Sequence, residues 1–145
     1  MAGKRQEFED AEQEALFVWA NMATHRALPA GETIGSYLFA IPNGGKRNVR
    51  EAARLKRQGV KAGVSDTLLP IPLIDLDGNM QIPGLWIEMK KQRQHFKSMN
   101  AAEKAMSDSQ VDWFKKMSYW MWETECCYGW EDASKKIIAY LDRMG

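Results

Sequence analysis

Apolar side chains recur at helical spacing in three stretches of the chain. From about Phe8 to His25 there is no glycine or proline, and apolar residues return every three or four positions, which predicts an amphipathic helix. A second stripe follows the capping-box pattern of Ser107 and Gln110 and predicts a long helix that contains Trp113, Phe114, Met117, Trp120 and Met121. The last stripe predicts a C-terminal helix and consists of Ala133, Ile137, Leu141 and Met144.

Short apolar runs between turn residues predict four strands, at Tyr37–Ile41, Asp66–Ile74, Gly84–Lys90 and Thr124–Tyr128. Pro70 and Pro72 indicate that the far end of the second strand is an edge or an exit from the sheet. Asp77-Gly78-Asn79 is a hairpin-type turn, so we expect the third strand to return beside the second.

Two more segments complete the predicted order of elements. Asn48 and Glu51 form a helix-start signal and Gly59 a stop signal, which predicts a basic helix over Val49–Gln58. A polar, basic loop is expected over Lys91–Met106. The order helix, strand, helix, strand, strand, helix, strand, helix predicts a mixed α/β fold around one small sheet.

Composition favours a single domain over residues 1–145 and argues against a disordered chain, a collagen and a disulfide-dense miniprotein. The hydrophobic fraction of 45% and the charged fraction of 27% are typical of a globular chain, and the net charge of +1 does not by itself indicate a nucleic-acid partner. The two cysteines are adjacent and cannot easily bridge each other, and no apolar run approaches the roughly 18 residues of a membrane span. We therefore expect a cytoplasmic protein in a reducing environment, neither secreted nor embedded in a membrane.

Charged residues interrupt the third predicted strand. Glu88 and Lys90 are two positions apart and share one face of the strand, while Met89 points to the other face. Two charged side chains on an otherwise apolar strand are costly unless they are exposed, paired or bound to a metal. If the hairpin brings Asp66 to Glu88, two carboxylates converge and repel each other unless a divalent cation lies between them.

A site of this kind suits phosphodiester hydrolysis. Oxygen ligands hold Mg²⁺ while leaving coordination positions for water and a phosphate oxygen. A neighbouring lysine can stabilise the developing charge or orient the attacking water. The alternative is an exposed strand face with a Glu/Lys pair and an unrelated turn aspartate, because an E-x-K triplet often occurs by chance.

Ordered motifs along the chain resemble a known nuclease family. Gly63-Val64-Ser65-Asp66, followed by Trp86-Ile87-Glu88-Met89-Lys90, is similar to the PD-(D/E)XK nuclease signature, with a serine where many members carry proline. Ile41–Arg47 and Glu51–Val60, which lead directly into the aspartate segment, resemble the VRR-NUC (virus-type replication-repair nuclease) branch. The resemblance covers nearly the whole chain. It implies a restriction-endonuclease-like core, with helices around a small mixed central sheet.

The resemblance also implies the ligands of a divalent cation, Mg²⁺ or Mn²⁺. Asp66 and Glu88 correspond to metal ligands, the main-chain carbonyl of Met89 to a further ligand, and Lys90 to the catalytic lysine. Gln110 resembles the glutamine that the family places on the helix after the lysine strand, where it would pair with the site's water or a phosphate. Alternatively, the side chain of Gln110 only completes the helix cap.

The first helix of the family supplies a further acidic ligand. Glu9 matches that position best, four residues before Gln13 on the same helix face. Glu12 and Glu14 are rivals for the role, and any of the three also fits a solvated helix surface.

A basic segment precedes the aspartate. Seven cations lie within 16 residues, opposed only by Glu51: Lys46, Arg47, Arg50, Arg54, Lys56, Arg57 and Lys61. Beside a phosphate-cutting site this segment fits a clamp on the DNA backbone, although such a run is often only a solubilising face. Gly44 and Gly45, with Asn43 beside them, would let main-chain amides approach a phosphate, or they simply form a turn. The opposite side of the groove could be lined by Lys90, Lys91, Arg93, His95 and Lys97.

Other residues with potential chemistry have simpler explanations. The histidines and cysteines lack the spacing of a zinc site. Tryptophans could stack on bases, but core packing is the favoured interpretation for Trp113, Trp120, Trp122 and Trp130.

Residues and resemblance together predict a metal-dependent DNA endonuclease. No base-reading element is evident, so recognition should follow DNA structure rather than sequence. The resemblance implies branched DNA, such as a four-way (Holliday) junction, and the cytoplasm of a bacterial or phage-infected cell. A homodimer would let two active sites face two strands. The alternatives are a non-catalytic DNA-binding or assembly module, and a flap-processing, end-trimming or restriction-like nuclease.

Overall fold

The computed structural model describes residues 2–42 and 48–145. Its helices are α1 (Ala2–Ala20), α2 (Val49–Arg57), α3 (Met99–Glu103), α4 (Asp108–Tyr119) and α5 (Trp130–Leu141). Its strands are β1 (Phe39–Ala40), β2 (Thr67–Leu69), β3 (Leu73–Ile74), β4 (Met80–Ile82), β5 (Leu85–Lys90) and β6 (Glu123–Tyr128). Short 3₁₀ helices cover Ile34–Ser36 and Arg93–His95. None of the described helices is long and apolar enough to cross a bilayer.

Strand β5 lies at the centre of a four-stranded sheet with the order β1-β2-β5-β6. Its neighbour β2 is antiparallel, and its neighbour β6 is parallel. Parallel neighbours need a crossover connection, which here contains α3 and α4. The predicted small mixed sheet flanked by helices is therefore confirmed.

The two faces of β5 have different partners. Leu85, Ile87 and Met89 belong to the main apolar core, where they meet residues of α1 and α5 such as Leu16 and Ile137. Trp86, Glu88 and Lys90 lie on the opposite face, toward α4, and are buried as well. The period of two along the strand thus separates an apolar layer from a layer that contains charge. This confirms the shared face predicted for Glu88 and Lys90.

The predicted hairpin is wrong in its connection but right in its pairing. Pro70 and Pro72 end β2, and the chain leaves the sheet to form a separate two-stranded ribbon from β3 and β4. The turn at residues 77–79 joins these two short strands, and the N–H of Asp75 donates to the carbonyl of Asn79 at 2.9 Å. Strand β5 still pairs antiparallel with β2.

Several other boundaries differ from the prediction. Helix α1 extends from Ala2 to Ala20. The prediction missed its first turns because they are polar and carry no apolar period, and it placed the end too late because the chain reverses around Asn21. A Cβ on Gly35 would lie 2.9 Å from the backbone of Asn21, so this reversal is tightly packed. The predicted loop over 91–106 contains the second 3₁₀ helix and α3. The predicted first strand is reduced to Phe39–Ala40.

Candidate active site

Strand register brings the predicted carboxylates together. Thr67 pairs with Ile87, so the antiparallel register continued by one residue places Asp66 opposite Glu88. Oδ2 of Asp66 accepts a hydrogen bond from the backbone N–H of Met89 at 2.7 Å, which fixes the aspartate at the strand edge. The two carboxyl groups lie close enough for each to shift the pKa of the other. Oε2 of Glu88 is buried and receives no hydrogen bond from the described part of the chain.

The electrostatics of this pair make two negative charges costly. Burial, followed by the neighbouring Asp66 carboxylate, raises the pKa of Glu88 to about 8, although Lys90 opposes the rise. Burial also raises the pKa of Asp66, against the opposing effect of the Met89 N–H. A proton shared between the two groups, or a cation bound to both, would satisfy the unpaired oxygen of Glu88. Two carboxylates at one point are donors that could hold a hard divalent cation.

Lys90 is buried beside the carboxylates, with 6% of its side chain exposed. Its Nζ lies 3.7 Å from Oε1 of Glu88 and donates to Oε1 of Gln110 at 3.1 Å. A buried ammonium with two oxygen partners is held in a fixed position, from which it can reach a ligand at the carboxylates. The fold thus brings Asp66, Glu88 and Lys90 to one place.

Gln110 completes the helix cap, and its side chain also contacts Glu88 and Lys90, which rules out a role in the cap alone. Its Oε1 accepts from the N–H of Ser107 at 2.9 Å, and its own N–H donates to Oγ of Ser107 at 3.3 Å, which completes a capping box. The same side chain donates from Nε2 to Oε1 of Glu88 at 2.6 Å and accepts from Lys90. One amide therefore connects the start of α4 to the charged layer of β5.

The first turn of α4 also lies directly against the loop that leads to Asp66. Gly63 has a φ of +85°, and a Cβ at that position would lie 2.2 Å from the carbonyl oxygen of Ser109. Only glycine fits this contact without displacement of backbone. The aspartate segment and the helix that carries Gln110 are thus held together by a close backbone approach.

Separate variants should distinguish the two roles of Gln110. Ser107→Ala removes the hydroxyl cap and is expected to lower the free energy of unfolding by about 1 kcal/mol, with little change in any activity of the site. Gln110→Ala keeps that hydroxyl cap but removes the acceptor of the Ser107 N–H and the contacts to Glu88 and Lys90, so both stability and activity should fall. Chemical denaturation and a cleavage assay on both variants measure the difference. Equal activities in the two variants would contradict a role of the amide in the site.

Glu9 faces the site from α1. Its side chain is 17% exposed, its charge interacts with those of Lys90 and Asp66, and burial raises its pKa. The rival Glu12 is engaged elsewhere, because its oxygens accept from Nε2 of Gln92 at 2.8 Å and from the N–H of Trp130 at 2.7 Å. Glu14 is exposed. Of the three predicted candidates, Glu9 is therefore the one whose position suits the site.

Asp66 and Glu88 form a pair rather than part of a larger cluster. Within residues 2–42 and 48–145, no group of three or more His, Cys, Asp or Glu side chains lies close enough together to hold a metal ion. Glu9 approaches the pair without completing a three-carboxylate arrangement. A cation at this site would thus depend chiefly on Asp66 and Glu88.

Sequence reasoning missed the neighbours that β6 supplies. The parallel register pairs Glu88 with Cys126 and Lys90 with Tyr128, so both side chains join the charged face. The hydroxyl of Tyr128 donates to the carbonyl of Ala102 at 2.7 Å, and burial raises its pKa to about 12, so the phenol stays neutral. No local signal in the sequence identifies which distant strand lies beside β5.

Helix α2 carries three of the nine residues predicted to bind DNA, which are Arg50, Arg54 and Arg57. None of its residues is buried, and Arg54, Lys56 and Arg57 occupy its last turn. Oδ1 of Asn48 caps its start by accepting from the N–H of Glu51 at 2.7 Å. Arg50 and Lys61 are exposed as well. The other predicted contacts lie outside the described residues: Asn43, Gly44, Gly45, Lys46 and Arg47.

The cations after β5 rest on aromatic rings. The guanidinium of Arg93 lies 3.9 Å from the centre of the Tyr128 ring, and Nζ of Lys91 lies 4.6 Å from that of Phe96. The ring of His95 stacks on that of Phe8 with centroids 4.4 Å apart. These contacts give the segment after the lysine strand a defined course.

The tryptophans behave largely as predicted. Trp86 is buried and contacts the partly buried Trp113 and Trp122, with ring centroids 5.3 and 5.7 Å apart. Trp130 packs against the main core. The prediction of core packing is wrong for Trp120, which is 68% exposed at the end of α4.

Comparisons with known proteins identify the fold. No protein-family model matches this sequence, and no curated protein matches it significantly. Among solved structures, a VRR_NUC domain protein matches with a TM-score of 0.68 and 21% sequence identity, over 93% of this chain and 88% of that chain. The fold is therefore that of a nuclease-like α/β domain. More specifically, it is the VRR-NUC fold, as the sequence motifs predicted.

Proposed function

We propose that this chain is a metal-dependent deoxyribonuclease that incises branched DNA, such as four-way junctions. The observation that carries the proposal is the buried Asp66–Glu88 pair, with an unsatisfied carboxylate oxygen, beside the buried ammonium of Lys90. Paired buried carboxylates without a cation are costly, so a fold that retains them is suited to binding one. Mg²⁺ and Mn²⁺ both accept such oxygen ligands.

The residues of the chain have separate roles in the proposed hydrolysis. Asp66 and Glu88 would hold the cation, and Glu9 and the carbonyl of Met89 would supply further oxygens. A bound divalent cation supplies Lewis-acid polarisation of the phosphoryl oxygen. Lys90 stabilises the charge that grows on the phosphate as water adds to phosphorus and the bond to one sugar oxygen breaks. Gln110 keeps the lysine and the glutamate aligned.

A cleavage assay tests the proposal. The full chain is incubated with linear duplex, flap and four-way substrates, each with Mg²⁺, Mn²⁺ or chelator, and product ends are mapped. We expect metal-dependent incision of the branched substrates, and its loss in Glu88→Gln, which preserves shape and removes the charge. An absence of metal-dependent cleavage on every substrate would favour the non-catalytic module. Cleavage confined to flaps or ends would favour the end-processing alternative.

The basic helix α2 is proposed to grip backbone phosphates. Arg54→Ala/Arg57→Ala should weaken DNA binding and reduce the slope of log affinity against log salt by roughly 0.7 to 0.9 for each phosphate that the variant no longer neutralises. The same removal of charge from exposed lysines outside this helix, Lys115→Ala/Lys135→Ala, is the matched control. Fluorescence anisotropy at several salt concentrations measures both slopes. Equal slopes in the two double variants would contradict the assignment of α2.

A homodimer is proposed as the active form, so that two sites face two strands of a junction. Tyr119, Trp120 and Met121 support this, because they are 77%, 68% and 64% exposed and together form an apolar surface at the end of α4. Sedimentation velocity at working concentration tests the proposal. A monomer with unchanged activity would refute the paired arrangement.

A further inference from the structure

A basic cleft is formed by residues that adjoin the proposed active site along the chain. It has a volume of about 310 Å³ and is lined by Lys4, Arg5, Phe8, Lys91 and His95. Four of these five side chains are basic, and none is acidic. Its lining is therefore suited to an anion.

The cleft is formed by two segments that an aromatic contact holds together. The first turns of α1 supply one wall, and the chain that follows β5 supplies the other. The rings of Phe8 and His95 stack with an interplanar angle of 18°, which joins the walls. The shape of the cleft thus depends on packed rings as well as on long lysine side chains.

The positive charge of the cleft is largely uncompensated. Within the described ranges, neither Lys4 nor Lys91 takes part in an ion pair. Arg5 has one long contact, from its Nε to Oε1 of Glu9 at 3.9 Å. Such a weak contact at a largely exposed arginine leaves its guanidinium available for a better acceptor.

Two residues of the cleft lie close along the chain to residues of the proposed active site. Lys91 directly follows Lys90, and Arg5 lies four residues before Glu9 on α1, which is about 6 Å along the helix axis. A nucleic-acid strand bound at the carboxylates would carry its next phosphates over a similar distance. The cleft is therefore placed to receive a phosphate close to the one that is cut.

We propose that this cleft binds a phosphate group of the DNA strand held at the Asp66–Glu88 site, one or two linkages from the scissile one. The inference rests on the proposed function for the identity of the strand. Lysine and arginine donate charge-assisted hydrogen bonds to phosphate oxygens, and here they do so from opposite walls. Binding at a second point along the strand would fix its direction through the active site.

A phosphate-by-phosphate substitution experiment tests the cleft without relying on cleavage. Single uncharged methylphosphonate linkages are placed along a branched substrate, and anisotropy measures binding by the full-length Lys90→Ala protein with and without Lys4→Ala/Lys91→Ala. Before the cleft lysines are removed, one linkage near the cut should weaken binding more than its neighbours. After the lysines are removed, a methylphosphonate at that linkage should no longer weaken binding, and the slope of log affinity against log salt should fall by about 0.7 to 0.9. Lys115→Ala/Lys135→Ala is the control of equal charge, and thermal unfolding verifies that each protein is folded.

The outcomes separate this proposal from the proposed function. A linkage effect that persists unchanged after removal of the cleft lysines, or an equal effect of the control pair, would overturn it, as would the absence of DNA binding. If the linkage effect depends on the cleft lysines only in substrates that carry a terminal phosphate, the cleft binds the phosphate of a strand end. That result would support phosphate binding by the cleft and replace the internal linkage by a strand end as the bound group. If the wild-type protein cuts no substrate but the linkage effect depends on the cleft lysines, the cleft proposal stands and the nuclease proposal fails. If the protein cuts DNA but the linkage effect does not depend on those lysines, only the cleft proposal fails.

Discussion

Replacement of Lys90 by methionine is expected to lower DNA cleavage by about 10² to 10⁴-fold while DNA binding changes little. The lysine is buried and contacts both Glu88 and Gln110, so its ammonium is directed at the carboxylate pair rather than at solvent. Methionine keeps much of the volume of the side chain and removes the charge that would stabilise the transition state. The measurement is the single-turnover rate at saturating protein, together with the dissociation constant for the uncut substrate.

Two controls make this result specific. Lys115→Met changes an exposed lysine of α4 that has no ion pair among the described residues, and it should leave the rate unchanged. Removing one partner of a buried charged pair is also destabilising, so the unfolding temperature of Lys90→Met must be measured first. A folded Lys90→Met protein that cuts at the wild-type rate would be incompatible with the proposed role of the lysine.

The protein without metal is expected to lose stability as the pH rises from about 4.5 to about 8. The pKa of Glu88 is raised to about 8 from an ordinary value of 4.5, so the folded state binds a proton more tightly than the unfolded state does. The resulting stabilisation is fully present below the unfolded pKa and is lost as the pH rises through the folded pKa. Asp66 and Glu9, whose pKa values are also raised, act in the same direction.

Divalent cations should reverse this loss at pH 8. A ligand that binds only the folded state at 100 times its Kd stabilises by about 2.7 kcal/mol. Unfolding temperatures across the pH range, with Mg²⁺ and with chelator, measure both effects. Glu88→Gln is the matched control, and its stability should depend less on pH and respond less to the cation. A wild-type dependence of stability on pH that matches that of Glu88→Gln would mean that the pKa of Glu88 is not raised in the folded state.

Local periodicity was sufficient to predict the charged face of β5. Alternation along a strand is a property of the backbone, so Glu88 and Lys90 had to share a face wherever the strand packed. The pairing of Asp66 with Glu88 could also be predicted from the sequence, because strands close in sequence commonly neighbour each other. The choice of Glu9 over Glu12 and Glu14 depended on the family resemblance, since all three are polar residues of one helix.

The remaining features depend on non-local packing. The position of Tyr128 beside Lys90 follows from a parallel pairing across a crossover, which no local pattern specifies. The β3–β4 ribbon separates two strands that nevertheless pair in the sheet, so the turn at 77–79 indicated the wrong partners. The polar first turns of α1 gave no apolar period, although they form one wall of the basic cleft.

The amide of Gln110 has a consequence for how the protein fails on heating. It closes the first turn of α4 and also holds Lys90 and Glu88, so fraying of that turn would release both side chains. Helix ends open locally at a lower free energy than the buried core, which requires global unfolding. Loss of activity on warming should therefore precede the melting of the sheet, and amide hydrogen exchange at residues 107–111 should report the temperature at which it begins.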